Sequence, residues 1–112
     1  MEGGPATAVV EAMGSGVVPA AIDLAEAYPN PFNASAVLRF DLPSSGRVRL
    51  AVYNSLGQSV RTLVADQVLP AGTHRVTWDG RDQAGAKAAS GIYYARLEAK
   101  AERRVASMVL LR

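Results

Sequence analysis

The sequence contains no cysteine and a single histidine, His74, among its 112 residues. Without cysteine the chain has no disulfide framework, no thiolate nucleophile and no zinc or iron–sulfur site built on sulfur. One imidazole excludes a metal site made of several histidines, and any acid–base or Ser-His-Asp chemistry would depend on that residue alone. No second catalytic group lies at a spacing tied to His74, so the sequence predicts a protein that is not an enzyme and needs no cofactor.

Long apolar runs and a strong imbalance of charge are also missing. No stretch reaches the roughly 18 to 20 apolar residues that span a bilayer, so the chain is predicted not to cross a membrane. The 12 Lys and Arg against 10 Asp and Glu leave a formal charge of +2, too small an excess to indicate a nucleic-acid partner. The N-terminus lacks the basic region and apolar run of a secretory signal.

The charges and the small residues divide the chain into two parts. Residues 1–46 carry five acids and one base, a net −4, whereas residues 47–112 carry eleven bases and five acids, a net +6. Residues 1–23 are rich in Gly and Ala without steady periodicity, which predicts a flexible linker or tail before a folded part at residues 24–112. An alternative for the linker is that a short apolar piece such as Val17 and Val18 adds to a sheet edge.

From Leu24 onward, short runs with apolar residues at every second position alternate with turn residues. This pattern predicts an all-β fold, an immunoglobulin-like antiparallel β-sandwich of six to seven strands without a disulfide. The predicted strands are residues 35–42, 47–53, 59–64 with a possible extension to 69, 73–79, 92–98 and 103–111. The turn at residues 43–46 predicts a hairpin between the first two of these strands. Trp78 is the predicted core anchor, with His74 and Val76 on its face and His74 as a hydrogen-bonded, buried or semi-buried residue.

The segment YPNPFN, residues 28–33, is the most unusual in the chain, because its two prolines fix φ and remove two backbone donors. The structural interpretation is a rigid lead into the first sheet, with Tyr28 and Phe32 as apolar pegs and Asn30 and Asn33 bonded to nearby backbone. The functional alternative is a proline-flanked aromatic segment that docks a partner. The chemistry of turn residues favours the structural interpretation.

Two further groups of polar residues can be interpreted in structural or in functional terms. Asp79 and Asp82 in the DGRD loop offer hard oxygen ligands for calcium, but the ligand set of a dedicated calcium loop is missing, which favours an Asx-turn at a strand end. The strand arginines are predicted to lie on outward, solvated faces, where charges also discourage aggregation. They are Arg47, Arg49, Arg61, Arg75, Arg96, Arg103 and Arg104.

Five ordered motifs together resemble a known family. They are YPNPFN, RVRLAVYNSLGQSVRTLV at residues 47–64, AGTHRVTWDGRDQAG at residues 71–85, SGIYYARLEA at residues 90–99 and the terminal MVLLR. The chain from Leu24 is similar to the type A C-terminal sorting domains of the bacterial type IX secretion system, which are related to the immunoglobulin-like domain of the flagellar hook-capping protein. Ala34 departs from the family pattern, in which a second proline is expected after PNPFN.

The resemblance implies a non-catalytic module that directs a secreted multidomain protein of a Gram-negative bacterium through the periplasm to the outer cell surface. Implied partners are an outer-membrane translocon, a sortase-like protease and an N-terminally fused cargo domain. The residues assigned to recognition are Pro29, Asn30, Pro31, Phe32, Asn33, Met108, Val109, Leu110, Leu111 and Arg112. Those assigned a structural role are Trp78, Asp79, Gly80, Gly85, Gly91 and Tyr93.

The apolar residues on both faces of MVLLR also suggest that the last strand presents its edge for recognition through main-chain hydrogen bonds. Two other classes of function remain open at this point. One is a structural or interaction sandwich, either like the flagellar hook-capping domain or a spacer beside a catalytic domain. The other is a carbohydrate-binding module, which would need exposed aromatic rings on one face.

Overall fold

A computed structural model describes residues 10–12 and 18–112 of the chain. Six strands of seven or more residues carry the fold: β3 (Ala36–Leu42), β4 (Gly46–Asn54), β5 (Ser59–Leu69), β6 (Gly72–Trp78), β7 (Gly91–Ala99) and β8 (Glu102–Leu110). Two short edge strands, β1 (Val10–Ala12) and β2 (Asp23–Leu24), complete the set. The described residues contain no helix, and so none that is long and apolar enough to cross a membrane.

The strands form two antiparallel four-stranded sheets. The first sheet has the order β1-β6-β3-β2 and the second has the order β5-β4-β7-β8. The predicted all-β, immunoglobulin-like sandwich is therefore confirmed, and each predicted strand corresponds to an observed one with bounds that differ by one or two residues, or by the extension of β5 to Leu69. The edges formed by β2 and β8 lie along the same side of the sandwich.

The core lies between the sheets and follows the alternation seen in the sequence. Phe40, Leu50, Trp78 and Leu97 are fully buried, and each has outward-facing neighbours along its strand. His74 is buried as predicted, where its Nε2 lies 2.8 Å from the carbonyl oxygen of Pro70 and its ring stacks on Phe40. Period-two burial on both inner faces is what a two-layer sandwich needs to close a single core.

The connection at residues 43–46 is not the predicted hairpin. Strand β3 pairs with β2 and β6 in the first sheet, whereas β4 pairs with β5 and β7 in the second. The turn therefore carries the chain from one sheet to the other. A Pro-Ser-Ser-Gly sequence reverses the chain in both cases, so turn chemistry alone does not identify the pairing partner.

Two true hairpins lie in the second sheet. The loop between β4 and β5 closes on Gly57, whose φ of 81° is a left-handed conformation that L side chains rarely adopt. Its Asn54 carboxamide oxygen accepts hydrogen bonds from the amides of Leu56 and Gln58, both at 3.0 Å. The β7–β8 hairpin turns at Lys100 and Ala101, which both have positive φ as in the tight turns that match strand twist.

The predicted linker, residues 1–23, is described only in part. Residues 10–12 of it form β1, which pairs with β6 in the register Val10 to Val76. A short piece of the predicted linker thus adds to a sheet edge, as the alternative suggested, but at residues 10–12. Val18 is exposed and outside any strand, and Val17 lies outside the described residues. The boundary at Leu24 stays a prediction.

Candidate functional site

The YPNPFN motif crosses from the edge of one sheet to the edge of the other. At its start, Tyr28 exchanges two backbone hydrogen bonds with Val37 of β3, at 3.0 and 2.8 Å. At its end, the amide of Phe32 donates to the carbonyl oxygen of Val109 on β8, and the amide of Leu111 donates to the carbonyl oxygen of Phe32, at 2.9 and 2.8 Å. We call residues 28–32 the crossing segment; the peptide bonds before its two prolines are cis.

Asn30 connects the crossing segment to β8 through its side chain. Its Nδ2 donates to the carbonyl oxygen of Ser107 at 3.3 Å, and its Oδ1 accepts from the amide of Val109 at 2.9 Å. Phe32 lies opposite Leu110 in a parallel bridge. If that parallel pairing continued, the backbone of residue 30 would bond to the same two groups, the carbonyl of Ser107 and the amide of Val109. The carboxamide therefore stands in for a peptide unit, next to two prolines that have no backbone donor.

Phe32 anchors the crossing segment in the core. Its ring is only 3% exposed and meets the Trp78 ring edge-on, at 5.6 Å between centroids and 62° between planes. Tyr93 meets Trp78 in the same manner at 5.2 Å and donates its hydroxyl hydrogen to the carbonyl oxygen of Ala89. Edge-to-face aromatic pairs add to the free energy of burial.

The prediction that Tyr28 is a second apolar peg is wrong. Its ring is 77% exposed, because Tyr28 pairs with Val37 and so shares the outer face of the first sheet with it. Asn30 bonds to backbone as predicted, although to residues 77 and 79 positions away and not to nearby ones. Pro29, Pro31 and Asn33 are exposed to solvent.

The residues of the last strand predicted for recognition alternate between core and surface. Met108 and Leu110 are completely buried, Val109 is half-buried, and Leu111 is 54% exposed. The sequence suggested that the last strand presents an open edge for main-chain recognition. At Val109 and Leu111 this edge is closed, because Asn30 and Phe32 already bond to it. The structure thus places the two predicted recognition segments against each other.

Arg112 ties the end of the chain to the loop between β6 and β7. Its amide donates to Ser90 Oγ, its Nε to the carbonyl oxygen of Ala88, and its Nη2 to the carbonyl oxygen of Gly80. Gly80 has a φ of 71°, and a Cβ there would lie 3.0 Å from Arg112 Nη2 and 3.3 Å from the carbonyl oxygen of Ala34. Close packing and backbone conformation both account for glycine at this position.

The same loop binds Arg61 of β5, a strand arginine for which the prediction of an outward, solvated position is wrong. Arg61 is 2% exposed and donates from Nη1 to Asp79 Oδ1 at 2.9 Å and to the carbonyl oxygen of Arg81 at 3.2 Å. Trp78 Nε1 donates to that same carbonyl at 2.9 Å. Position 61 points inward in the β-ladder, and the loop supplies two acceptors for Nη1, whereas the buried Nε has no hydrogen-bond partner among the described residues.

The aspartates of this loop serve the loop itself. Asp79 Oδ1 also accepts from the amide of Arg81, and Asp82 Oδ1 accepts from the amides of Ala84 and Ala86, as in Asx-turns. Gly85 closes the turn with a φ of 92°, and Gly91 begins β7. Among the described residues no group of three or more His, Cys, Asp or Glu is placed to hold a metal ion.

Aromatic rings at the surface are divided between the two sheets. Tyr28 lies on the first sheet, while Tyr53 and Tyr94 are cross-strand neighbours on the outer face of the second. The guanidinium of Arg96 lies over the Tyr53 ring, 4.4 Å from its centroid. Tyr28 therefore does not share a face with Tyr53 and Tyr94.

Replacing Asn30 with alanine is expected to lower the free energy of unfolding by about 1 kcal/mol, because the amide of Val109 and the carbonyl of Ser107 each lose a partner. Amide hydrogen exchange at Val109 should become faster. Asn30→Asp is the control for exchange, since it keeps an acceptor for Val109 and should leave that amide protected. It loses the Nδ2 donor to Ser107 and to Glu26 Oε2 and places a second carboxylate beside Glu26, so its overall stability should fall as well. Unchanged Val109 exchange in the alanine variant would contradict the peptide-like role of the carboxamide.

Comparison with known proteins yields one family and two similar structures. The model of the FlgD Ig-like domain matches residues 30–103, more than half of the chain. No curated protein gives a significant match. Dimeric latent PorU from Porphyromonas gingivalis is 22% identical with a TM-score of 0.64, over 86% of this chain and 10% of the PorU chain.

PorZ, described as an essential bacterial surface component of the type IX secretion system of Porphyromonas gingivalis, is 14% identical with a TM-score of 0.55, over 81% of this chain and 11% of its own. The chain spans about a tenth of each of these two structures, and the likeness to them is one of fold. The family match is of another kind, since it follows the sequence from Asn30 in the crossing segment to Arg103 in β8. The chain belongs to the FlgD Ig-like domain family.

Proposed function

We propose that the chain is a non-catalytic sorting module that directs a secreted multidomain protein through the type IX secretion system to the outer cell surface. The observation that carries the proposal is the contact between the crossing segment and the end of β8. Asn30 and Phe32 bond directly to Val109 and Leu111, so the two segments that the sequence resemblance assigns to recognition form one surface.

A signal made in this way exists only in the folded domain. Residues 28–32 and 107–111 are far apart in sequence, and they meet because both sheet edges lie on one side of the sandwich. A translocon that binds this surface would accept the module only after it has folded in the periplasm. A sortase-like protease would then act on the segment before residue 24, where the cargo domain is joined. The likeness to PorZ, described as a surface component, supports an extracellular location.

A structural or assembly module is the second candidate, and membership of the FlgD Ig-like domain family favours it as much as the first. The match to the family ends at Arg103, so most of β8 lies outside the matched residues. The exposed end of that strand is therefore the place to separate the two functions. A spacer depends on the end of β8 for stability only, whereas a sorting signal depends on its surface as well.

The test is export of a periplasmic reporter fused to the N-terminus of the full chain, in a host that has the type IX system. Deletion of residues 108–112 would not discriminate, because Met108 and Leu110 are core residues and their loss unfolds the domain. Leu111→Asp changes the exposed surface of the proposed signal instead. Val68→Asp is the matched control, because Val68 is 60% exposed on β5 at the opposite end of the second sheet.

We expect the parent fusion and the Val68→Asp fusion to reach the cell surface and the Leu111→Asp fusion to accumulate in the periplasm. The parent domain and its two variants should unfold at the same temperature. Retention of the parent fusion in the periplasm would refute the sorting function. Equal export of the two variants would show that the end of β8 is not part of the signal.

A further inference from the structure

The edge of β8 has a regular pattern of outward backbone groups. The outward bonds of Val109 and Leu111 to the crossing segment fix this pattern, because every second residue of an edge strand turns its N–H and C=O away from the neighbouring strand. Arg103, Val105 and Ser107 therefore face the same side. The even-numbered residues bond to β7.

These outward groups are occupied at both ends of β8, and between them no described residue bonds to them. The carbonyl oxygen of Ser107 accepts from Asn30, and that of Arg103 accepts from Arg104 Nη1 at 2.9 Å. Within the described residues no hydrogen bond reaches the N–H and C=O of Val105 or the N–H of Ser107. We call residues 105–107 the edge site.

The edge site repeats the geometry that Phe32 already uses. Phe32 donates to the carbonyl oxygen of Val109 and accepts from the amide of Leu111, in a parallel bridge with Leu110. The carbonyl oxygen of Val105 and the amide of Ser107 are the same pair of groups four residues earlier on the same edge. We infer that the edge site binds an extended peptide segment of a partner protein, which adds to β8 as a short parallel strand centred opposite Ala106.

The side chains around the edge site select the chemistry of that peptide. Val105 is 56% exposed on the outer face of the second sheet, where Arg96 of β7 is its cross-strand neighbour, and the half-exposed Tyr94 is the neighbour of Ser107. The peptide residue before the central one lies opposite Val105 on this face and should be β-branched and apolar. The residue after it lies opposite Ser107, whose small side chain leaves the Tyr94 ring as the nearest apolar surface, so it should be large and apolar. The central residue points inward beside Ala106 and should be small.

Charge selects the residue three positions before the centre. It lies beside Arg103 on the outer face, where Arg96 and Arg103 share the single carboxylate of Glu98, each at 3.7 Å. Two guanidinium groups that share one carboxylate give this cluster of described residues a net positive charge, so an acidic residue is favoured there. The predicted ligand has the pattern acid, any, apolar, small, apolar. This inference goes beyond export, because the edge site would bind such a segment whether or not the module is a sorting signal.

The probe is the blocked peptide acetyl-Gly-Glu-Ser-Val-Ala-Ile-amide, which ends before the position opposite Met108 that Asn30 fills. It is titrated into the uniformly ¹⁵N-labelled full chain. We expect saturable shifts of the backbone amides of Val105 and Ser107 and none at the exposed Val68. The same peptide with N-methylated Ala is the matched control, because it lacks the one N–H that would donate to the carbonyl oxygen of Val105. It should bind roughly fivefold more weakly or worse, the equivalent of one lost hydrogen bond.

Two protein variants test the site from the other side. Val105→Pro removes only an outward N–H, which is a position where edge strands tolerate proline, and it should weaken binding while Val105→Thr does not. Arg103→Glu should weaken binding of the parent peptide and restore it for the peptide with Lys in place of Glu. This charge exchange provides an answer even if the proline variant does not fold.

The outcomes separate this inference from the proposed function. Absence of shifts at Val105 and Ser107, or equal affinity for the N-methylated peptide, would overturn the edge site whatever the export assay shows. Peptide binding by the parent chain together with failure of the charge exchange would overturn the parallel register. Peptide binding with the expected variant effects would support the site even if the reporter fusion remained in the periplasm.

Discussion

Replacement of Phe32 with alanine is expected to lower the free energy of unfolding by about 3–5 kcal/mol, the range found when a buried phenylalanine is truncated. The ring is enclosed between the sheets and packs edge-on against Trp78, so its removal leaves a cavity beside the largest side chain of the core. Since domains of this size are stabilised by only about 5–15 kcal/mol, this is a large fraction of the total. Urea unfolding followed by Trp78 fluorescence measures the loss.

Phe32→Ala should also increase local opening where the crossing segment meets β8, which a variant elsewhere in the core should not do. Without the ring, the crossing segment keeps no core anchor, and its bonds to Val109 and Leu111 should open more often. Exchange at these two amides should rise more than exchange in β4. Tyr28→Ala is the matched control, because the same segment loses an exposed ring, and it should cost less than about 0.5 kcal/mol. Equal losses for the two variants would contradict the anchoring role of Phe32.

The strands were predictable from sequence because burial on one face imposes a period of two. Leu38, Phe40 and Leu42 alternate with outward residues in β3, and the same pattern in β4 and β6 placed Val48 and Trp78 in the core. Pairing was not predictable to the same degree. The alternation in β3 and β4 fits a hairpin and a sheet-to-sheet connection equally well, because both turn each strand's apolar face to the same core.

The site was predictable as two segments but not as one surface. Asn30 and Phe32 find their partners near residue 109, and no local pattern encodes a contact over such a separation. One signal was available in the sequence: an asparagine between two prolines has no neighbouring N–H donors, so its carboxamide is the group best able to satisfy a strand edge. That signal identifies a polar contact without naming β8.

Arg61 shows the opposite limit of sequence reasoning. Its place in β5 suggests a solvated outward arginine, but the register puts residue 61 opposite Val52 on the inner face. The side chain is tolerated there because the β6–β7 loop brings Asp79 and the carbonyl of Arg81 to the guanidinium. A charge at an inward position indicates a buried partner only when the register of the strand is known.

Loss of Asp79 should therefore be more harmful than loss of the arginine it binds. Asp79→Ala is expected to cost about 1.5–3 kcal/mol, because it leaves a buried guanidinium without its charged acceptor. The cost stays below that of a fully buried pair, since the Asp79 side chain is 47% exposed and water can reach its place. Arg61→Met keeps most of the packed volume and removes the buried charge, so it should change stability by less than about 1 kcal/mol.

The double variant, Arg61→Met with Asp79→Ala, should be more stable than the sum of the two single changes implies, because without the guanidinium the carboxylate has only the amide of Arg81 left to serve. Urea unfolding of the parent chain, the two single variants and the double variant completes the double-mutant cycle.

Millimolar calcium tests the remaining interpretation of the β6–β7 loop, which is that its aspartates bind calcium. Since Asp79 is engaged by Arg61, calcium should leave the unfolding temperature of the parent unchanged, and a calcium-dependent rise that Asp79→Ala abolishes would show that this carboxylate binds metal in preference to arginine.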